Sequence, residues 1–194
     1  DMSDKLYFEE ITLERVMDVI EHETKSGNFK GVVVSVGGQT PNNLAKKLAE
    51  LKVNILGTSA ESIDRAEDRS KFSKLLDELG IKQPLWRSLN SIDGMEEFAK
   101  DIEYPVIIRP SYVLSGAAMR VARNEIELRE YVKSAVKVSD EYPVVISKFI
   151  ENAREVEVDA VADGENVLIG SIIEHIEQAG IHSGDAMMVI PTQS

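Results

Sequence analysis

Apolar residues in the first third of the chain recur first with the spacing of a helix and then with that of strands. The first helical stripe consists of Leu13, Val16, Met17 and Ile20. Thr12 precedes this stripe and is a favourable N-cap residue. An apolar run at 31–36 predicts a strand, positions 44–51 predict a helix, and 53–56 predicts the next strand. A strand, a helix and a strand in succession form a βαβ unit, which predicts a parallel sheet.

The pattern changes in the second part of the chain. Two helices are predicted there, one ended by Gly80 and one begun by Ser91, and the capping pair Asn124 and Glu127 indicates a third. The predicted strands are 105–110, 144–148 and, around an Asp163-Gly164 turn, 155–161 and 167–173. The predicted fold class is therefore α/β and then α+β, ending in a largely antiparallel sheet. The change falls near residues 58–70.

Composition limits the class of function. Hydrophobic residues make up 43% and charged residues 29% of the chain, as in an ordinary globular protein. No apolar run approaches the roughly 18 residues of a membrane span, so no membrane partner is expected. The absence of cysteine excludes disulfides and cysteine nucleophiles. A formal net charge of −12 argues against nucleic acid, but not against ATP, because a few local cations can dominate a cleft.

Two loops carry residues that could bind an anion. The segment 37–41, Gly-Gly-Gln-Thr-Pro, lies between a predicted strand and a predicted helix that Thr40 would cap. Backbone N–H groups can hold an anion there, although a tight turn explains the same residues. Arg109 ends an apolar strand and precedes the small-residue loop 111–116. Its guanidinium group can hold phosphate oxygens with two hydrogen bonds, or it can pair with one of the many carboxylates.

Two later segments are also polar. Residues 147–150, Ser-Lys-Phe-Ile, and Glu155 would suit a nucleotide, because strand ends offer backbone groups to adenine and a carboxylate accepts from ribose hydroxyls. Simple exposure to solvent is the other interpretation. In the segment 174–185, two glycines bracket His182 and Ser183, which indicates a loop shaped against a ligand. Its spacing fits no zinc motif and no nucleophile elbow.

Four segments in order carry a family resemblance. They are Val36-Gly-Gly-Gln-Thr-Pro41, Ile63-Asp-Arg-Ala-Glu-Asp-Arg69, Ile108-Arg-Pro-Ser-Tyr-Val-Leu-Ser-Gly116 and Glu174-His-Ile-Glu-Gln-Ala-Gly-Ile-His-Ser-Gly-Asp185. Together they resemble the large chain of carbamoyl-phosphate synthetase, and the resemblance extends over essentially the whole sequence. Arg-Pro-Ser-Tyr-Val-Leu resembles the second of that chain's two homologous halves, since the first half tends to read Arg-Pro-Ser-Phe-Thr-Met. The resemblance implies a preATP-grasp layer at 1–65 and the N-terminal portion of an ATP-grasp domain at 66–194.

The resemblance also implies roles for individual residues. Arg109 matches the family's phosphate-contacting, catalytic arginine, and Arg69 matches another arginine near the phosphates. Lys148 and Ile150 match positions at the adenine pocket, and Glu155 matches the ribose-binding carboxylate. The nucleotide-contacting loop is matched by Gly180, Ile181, His182 and Ser183.

The implied reaction is the phosphorylation of carbamate by ATP, which gives carbamoyl phosphate and ADP. Family members carry their Mg²⁺ ligands downstream of the matched segment, so no metal ligand is expected within these residues. The chain begins Asp1-Met2 without a signal peptide, and we expect it to be an excised fragment that is inactive in isolation. Serine replaces a bacterial glycine at Ser115, which is expected to stiffen the phosphate-covering loop.

The partners that the resemblance implies are ATP with Mg²⁺, carbamate, the remaining synthetase domains, and either a glutaminase subunit or domain or free ammonia. The expected compartment is the cytoplasm or, alternatively, the mitochondrial matrix. Two other hypotheses remain open. One is a different ATP-grasp ligase such as a biotin carboxylase, which would carry a glycine-rich loop in place of 111–116. The other is a non-catalytic domain retained for assembly or regulation.

Overall fold

The computed structural model describes residues 3–110, 119–138, 144–180 and 185–193, with the backbone alone at 134–138. The chain divides into two compact units, Asp1–Lys148 and Phe149–Ser194. A parallel pair of strands comes first and antiparallel sheets follow, which confirms the predicted α/β and then α+β class. None of the described helices combines the length and the apolar character needed to cross a membrane.

The first unit begins with a small α/β layer. Its elements are α1 (Leu13–Thr24), β1 (Val32–Val33), α2 (Gln39–Asn42), α3 (Ala45–Glu50), β2 (Ile55–Leu56) and α4 (Ala60–Glu67). Strands β1 and β2 are parallel, with Val32 opposite Ile55, as the βαβ pattern predicts. The core of this layer contains Val34, Ala45, Leu48 and Ile63, against which the α1 stripe packs. The predicted cap of α1 is confirmed, since Thr12 Oγ1 accepts a hydrogen bond from Arg15 N.

Three details of this layer were predicted wrongly. The strand expected at 31–36 is only two residues long. Thr40 does not cap the following helix, because that helix already begins at Gln39 and its N-cap residue is Gly38. Gly38 adopts a φ of +76°, which glycine tolerates, and it has no side chain that could accept a capping hydrogen bond. The helix predicted to extend to Leu51 ends at Glu50, and Leu51, beyond its last turn, is 51% exposed.

The first unit continues with a four-stranded sheet and three helices. The elements are α5 (Arg69–Glu78), β3 (Trp86–Leu89), α6 (Ile92–Ile102), β4 (Val106–Pro110), β5 (Arg120–Ala122), α7 (Glu125–Val138) and β6 (Val144–Lys148). The strand order is β3-β6-β4-β5, and every neighbouring pair is antiparallel. Helices α6 and α7 supply one side of a core whose members include Met95, Phe98, Ile108, Leu128, Val132 and Ile146.

Local signals define the ends of these helices. Gly94 N donates to Ser91 Oγ, which confirms the predicted cap of α6. Glu127 N donates to the Asn124 side chain before α7. Gly80 follows α5 with a φ of +68°, so the predicted glycine stop is also confirmed.

Buried and half-buried side chains alternate along β4, and this alternation determines which of them can reach a ligand. Val106, Ile108 and Pro110 are buried in β4, whereas Ile107 and Arg109 are only half-buried. Successive side chains of a strand point to opposite faces. Arg109 therefore leaves the face of the sheet on which Ile108 packs against the helices.

The second unit is a three-stranded antiparallel sheet made of β7 (Val156–Ala162), β8 (Val167–His175) and β9 (Met188–Val189). The predicted hairpin turn is confirmed. Asp163 Oδ1 accepts from Glu165 N at 2.9 Å and from Asn166 N at 2.8 Å, and these backbone hydrogen bonds, Asn166 foremost, lower the pKa of the Asp163 carboxyl group. The hairpin register places His175 beside Glu155, whose carbonyl oxygen accepts from His175 N.

We predict that Ile108→Ala lowers the free energy of unfolding by about 2–5 kcal/mol, because it removes buried methyl groups and leaves a cavity. The matched control is Ile126→Ala in α7, where the side chain is 72% exposed and the change should stay within about 0.5 kcal/mol. Urea unfolding followed by Trp86 fluorescence measures both, since Trp86 is the single tryptophan and lies in the same sheet. Equal effects of the two substitutions would contradict this core assignment.

Candidate functional site

Arg109 projects from the end of β4. Its Nη2 donates to Ser147 Oγ on β6 at 3.1 Å. Ser147 itself is buried, at 3% exposure, so this contact holds the guanidinium group against the sheet. Arg109 Nε is also buried, and it has no hydrogen-bond partner among the described residues. A buried donor without a partner costs stability unless a ligand satisfies it.

Arg69 reaches the same strand end from the start of α5. The preceding residue, Asp68, caps this helix by accepting from Ser70 N and Lys71 N. Arg69 Nη1 donates to Pro110 O at 2.8 Å, and its Nη2 lies 3.7 Å from the sulfur of Met119. The N-cap of α5 and the end of β4 thus bring together the two arginines that the sequence predicts at the phosphates.

The electrostatics of the two arginines favour an anion. Burial lowers the pKa of the Arg69 guanidinium, and burial together with the positive charge of Arg69 lowers the pKa of Arg109. Within the described ranges, neither arginine forms an ion pair with a carboxylate. Two neighbouring half-buried cations, one of which has a buried Nε without a partner among the residues described, are suited to a ligand that carries several anionic oxygens.

Glu67 is the acidic residue whose charge acts on Arg69, and no sequence pattern predicted a role for it. Its negative charge partly offsets the effect of burial on the pKa of Arg69. Both of its carboxylate oxygens are already engaged by neutral amides. Gln39 Nε2 donates to Oε2 at 2.9 Å, and Asn42 Nδ2 donates to Oε1 at 2.7 Å. The segment 37–41 therefore contacts the end of α4 through a side chain.

Lys148 has an evident structural role. Its Nζ donates to Glu103 O at 3.0 Å and to Tyr104 O at 3.1 Å, beyond the C-terminus of α6. Its backbone N donates to Leu85 O. The ammonium group is thus held by carbonyl oxygens in this structure, and its contact with a nucleotide stays a prediction. Ile150, in the second unit, is 52% exposed.

Glu155 and Gly180 lie together in the second unit. Glu155 Oε2 accepts a hydrogen bond from Gly180 N at 3.3 Å, and the side chain is 33% exposed. In the part of the unit that the structure describes, no hydrogen bond reaches Glu155 Oε1. The carboxylate is therefore oriented through one oxygen, and the other can accept from a ligand.

Several predicted site residues lie outside the described residues. They are Ile181, His182 and Ser183 of the nucleotide-contacting loop, and the segment 111–116 with Ser115. Their contributions remain predictions.

His175 is a further residue whose neighbours were not predicted from the sequence. Its side chain is 2% exposed; Nε2 lies 3.0 Å from Glu157 Oε1 and Nδ1 lies 4.0 Å from Glu155 Oε2. The three side chains are close enough to share a metal ion. However, the two carboxylates face different nitrogens of the His175 ring. This arrangement suits separate contacts of each carboxylate with the imidazole better than joint coordination of one cation. The i, i+2 spacing of the two glutamates signals a common strand face, but the position of His175 requires the register of the hairpin.

Two protein families match the chain in succession. Residues 1–65 match the family described as "Carbamoyl phosphate synthase preATP-grasp domain". Residues 68–194 match the family described as "Carbamoyl-phosphate synthase L chain, ATP binding domain".

Individual relatives are substantially longer than this chain. A "Carbamoyl phosphate synthase large chain" of Pyrococcus furiosus is 60% identical over 191 residues, which are 98% of this chain and 18% of the relative. A "Carbamoyl phosphate synthase large chain, C-terminal section" of Methanocaldococcus jannaschii is 56% identical over 194 residues, which are 100% of this chain and 31% of the relative. The chain thus spans less than a third of the length of either relative.

A solved structure shares the fold at lower identity. The biotin carboxylase domain of the Hydrogenobacter thermophilus 2-oxoglutarate carboxylase, described in complex with MgADP and bicarbonate, superposes with a TM-score of 0.71. The identity is 19%, and the alignment covers 87% of this chain and 39% of the other. This likeness shows the fold, a preATP-grasp domain followed by the N-terminal portion of an ATP-grasp domain. Because residues 68–194 are more than half of the sequence, the chain belongs to the family of the carbamoyl-phosphate synthase L chain, ATP binding domain.

Proposed function

We propose that this chain binds ATP as part of the second half of a carbamoyl-phosphate synthetase, where the complete enzyme phosphorylates carbamate to give carbamoyl phosphate and ADP. The observation that carries the proposal is the pair Arg69 and Arg109, two half-buried cations with no carboxylate partner among the described residues. Identities of 56–60% to synthase large chains support the reaction class. The match to the C-terminal section of the Methanocaldococcus jannaschii relative over 100% of this chain supports the second half.

The arginine pair fits the triphosphate of ATP. A guanidinium fork can donate two parallel hydrogen bonds to phosphate oxygens. Arg109 has a buried Nε, without a hydrogen-bond partner in the described part of the chain, beside an Nη2 that Ser147 already holds in place, so the group is oriented before a ligand arrives. Such preorganised donors stabilise the charge on a transferring phosphoryl group without rearranging during the reaction. Arg109 therefore takes the catalytic role, and Arg69 helps to hold the phosphates.

Glu155 fits the ribose of ATP. Gly180 N fixes one carboxylate oxygen, and Oε1 has no hydrogen-bond partner among the residues described, so it can accept from ribose hydroxyls. We assign Ile150 to the adenine contact because its apolar side chain is exposed. Lys148, whose ammonium is bonded to two carbonyl oxygens, contributes to base binding through its backbone in this proposal.

The other components of the reaction follow the same proposal. Mg²⁺ supplies charge neutralisation at the phosphates when it is bound, and we place its ligands in other parts of the longer protein. The remaining synthetase domains, with a glutaminase or free ammonia, supply carbamate. A biotin carboxylase is the weaker alternative, since the solved biotin carboxylase domain is 19% identical, whereas the synthase relatives reach 60%.

We predict that Arg109→Ala in the complete enzyme slows the formation of ATP from ADP and carbamoyl phosphate by about 10²–10³-fold. Loss of one preorganised donor at a transition state costs roughly 3–4 kcal/mol. Bicarbonate-dependent ATP hydrolysis should largely survive, because in this proposal it occurs at the other half of the enzyme. Both partial reactions are measured on the same mutant.

The matched control for Arg109 is Arg65→Ala, which removes an exposed arginine of α4. It should leave both partial reactions near the wild-type rates. If Arg109→Ala abolished bicarbonate-dependent hydrolysis and spared ATP formation, the chain would belong to the first half and our assignment would be wrong.

We predict that Glu155→Ala in the complete enzyme weakens ATP binding by roughly 10- to 150-fold. Hydrogen bonds to a charged group contribute about 1.5–3 kcal/mol, and each 1.4 kcal/mol is about a factor of ten in affinity. Equilibrium binding of ATP measures the effect. Glu165→Ala, at the exposed hairpin turn, is the control and should bind normally. An unchanged dissociation constant in folded Glu155→Ala would count against the ribose assignment.

A further inference from the structure

Glu67 and Arg69 are two residues apart, at the end of α4 and the start of α5. Burial lowers the pKa of Arg69, and the negative charge of Glu67 lies close enough to offset part of that effect. Nevertheless, the two side chains form no ion pair in the ranges that the structure describes. Arg69 instead donates to the carbonyl oxygen of Pro110.

The amides of α2 explain why Glu67 stays where it is. Asn42 Nδ2 and Gln39 Nε2 donate to different oxygens of its carboxylate, at 2.7 and 2.9 Å. Glu67 is half-buried, so hydrogen bonds to its charge are stronger than they would be in open water. Rotation of the carboxylate towards Arg69 would break both bonds.

A freed Glu67 would compete directly with a ligand. Carboxylates and phosphates use the same donors of a guanidinium group, often with the same two-bond geometry. If Glu67 formed an ion pair with Arg69, the arginine would lose N–H groups that a phosphate needs. A carboxylate held at a distance has a different effect, because its charge still favours the charged form of Arg69 without occupying the N–H donors of that arginine.

We propose that Gln39 and Asn42 are positioning residues that restrain Glu67, so that Arg69 keeps its donors for the phosphates of the nucleotide. This inference rests on the proposed phosphate-binding role of Arg69 and Arg109. It gives the Gly-Gly-Gln-Thr-Pro segment a function in the α/β layer, namely to control an acidic competitor of the ligand. Neither Gln39 nor Asn42 touches the nucleotide in this proposal.

The test uses the complete enzyme and the formation of ATP from ADP and carbamoyl phosphate. The double variant Q39A/N42A should raise the KM for ADP about tenfold, the size expected for one lost hydrogen bond between charged groups. The value of kcat should change by less than about twofold, because Arg109 keeps its contacts. Adding E67Q to this double variant should return the KM to within about twofold of the wild-type value, because the competing charge is gone.

A second pair of variants keeps the size of the side chains. N42D places a carboxylate against Glu67 and should drive it from its position, which raises the KM for ADP. N42D/E67Q exchanges donor and acceptor, since the amide introduced at position 67 can donate to the carboxylate introduced at position 42, and should restore the KM. E67Q alone should leave the KM for ADP unchanged or lower. Asn28→Ala, which removes an exposed amide of the first unit, is the control and should behave as wild type.

The outcomes separate this inference from the proposed function. If Q39A/N42A and N42D each raise the KM for ADP, and adding E67Q restores the KM in each case, the inference stands. If the KM rises and E67Q fails to rescue it, the amides only support the fold, and the inference is overturned while the phosphate site remains. If Arg109→Ala in the same assay has no effect, the phosphate site itself is wrong, and the inference falls with it.

Discussion

Repulsion between two half-buried guanidinium groups is the constraint that organises this part of the molecule. Removing Arg69 and Arg109 from water is costly, and their mutual repulsion adds to that cost. Each contact around them limits the cost without neutralising the charge. Ser147 and the carbonyl oxygen of Pro110 each accept one hydrogen bond, and Glu67 supplies a field from a distance. In our proposal, the donors that have no partner among the described residues bind the phosphates of the nucleotide.

The elements that hold the arginines are defined by ordinary local rules. Period-two burial in β4 separates Arg109 from the core residues Val106 and Ile108. The Asp68 cap fixes the first turn of α5, from which Arg69 extends. The hydrophobic core beneath β4 therefore does more than stabilise the sheet. Because β4 is anchored by its buried face, the core also determines where the Arg109 guanidinium group lies on the opposite face.

Much of the fold could be predicted from the sequence, because its signals are local. The Thr12 and Ser91 caps, the glycine stop at Gly80 and the Asp163 turn each depend on residues within a few positions. The strand at 31–36 was predicted too long, since apolar content reports burial and not the number of residues that pair with a neighbouring strand. The predicted domain boundary between the preATP-grasp layer at 1–65 and the ATP-grasp portion at 66–194 stays a prediction.

The candidate site could be predicted only in part. The resemblance pointed to Arg69, Arg109 and Glu155 as individual residues, but which groups touch them depends on contacts between distant segments. Gln39 and Glu67 are 28 positions apart, and no local pattern joins them. His175 lies beside Glu155 only because of the hairpin register. These contacts come from packing, which sequence spacing does not encode.

In the proposed site, the two arginines, which have no carboxylate partner among the described residues, would also couple binding to stability. Two cations without a counterion in the described part of the chain keep an electrostatic cost that a bound phosphate would remove. Replacing either arginine with a neutral residue would remove part of that cost as well as part of the affinity, so loss of binding need not accompany loss of fold. The same reasoning applies to Glu67. A closer carboxylate would stabilise the empty site and weaken it for phosphate. In our proposal, the position of Glu67, held by Gln39 and Asn42, is a compromise between these two demands.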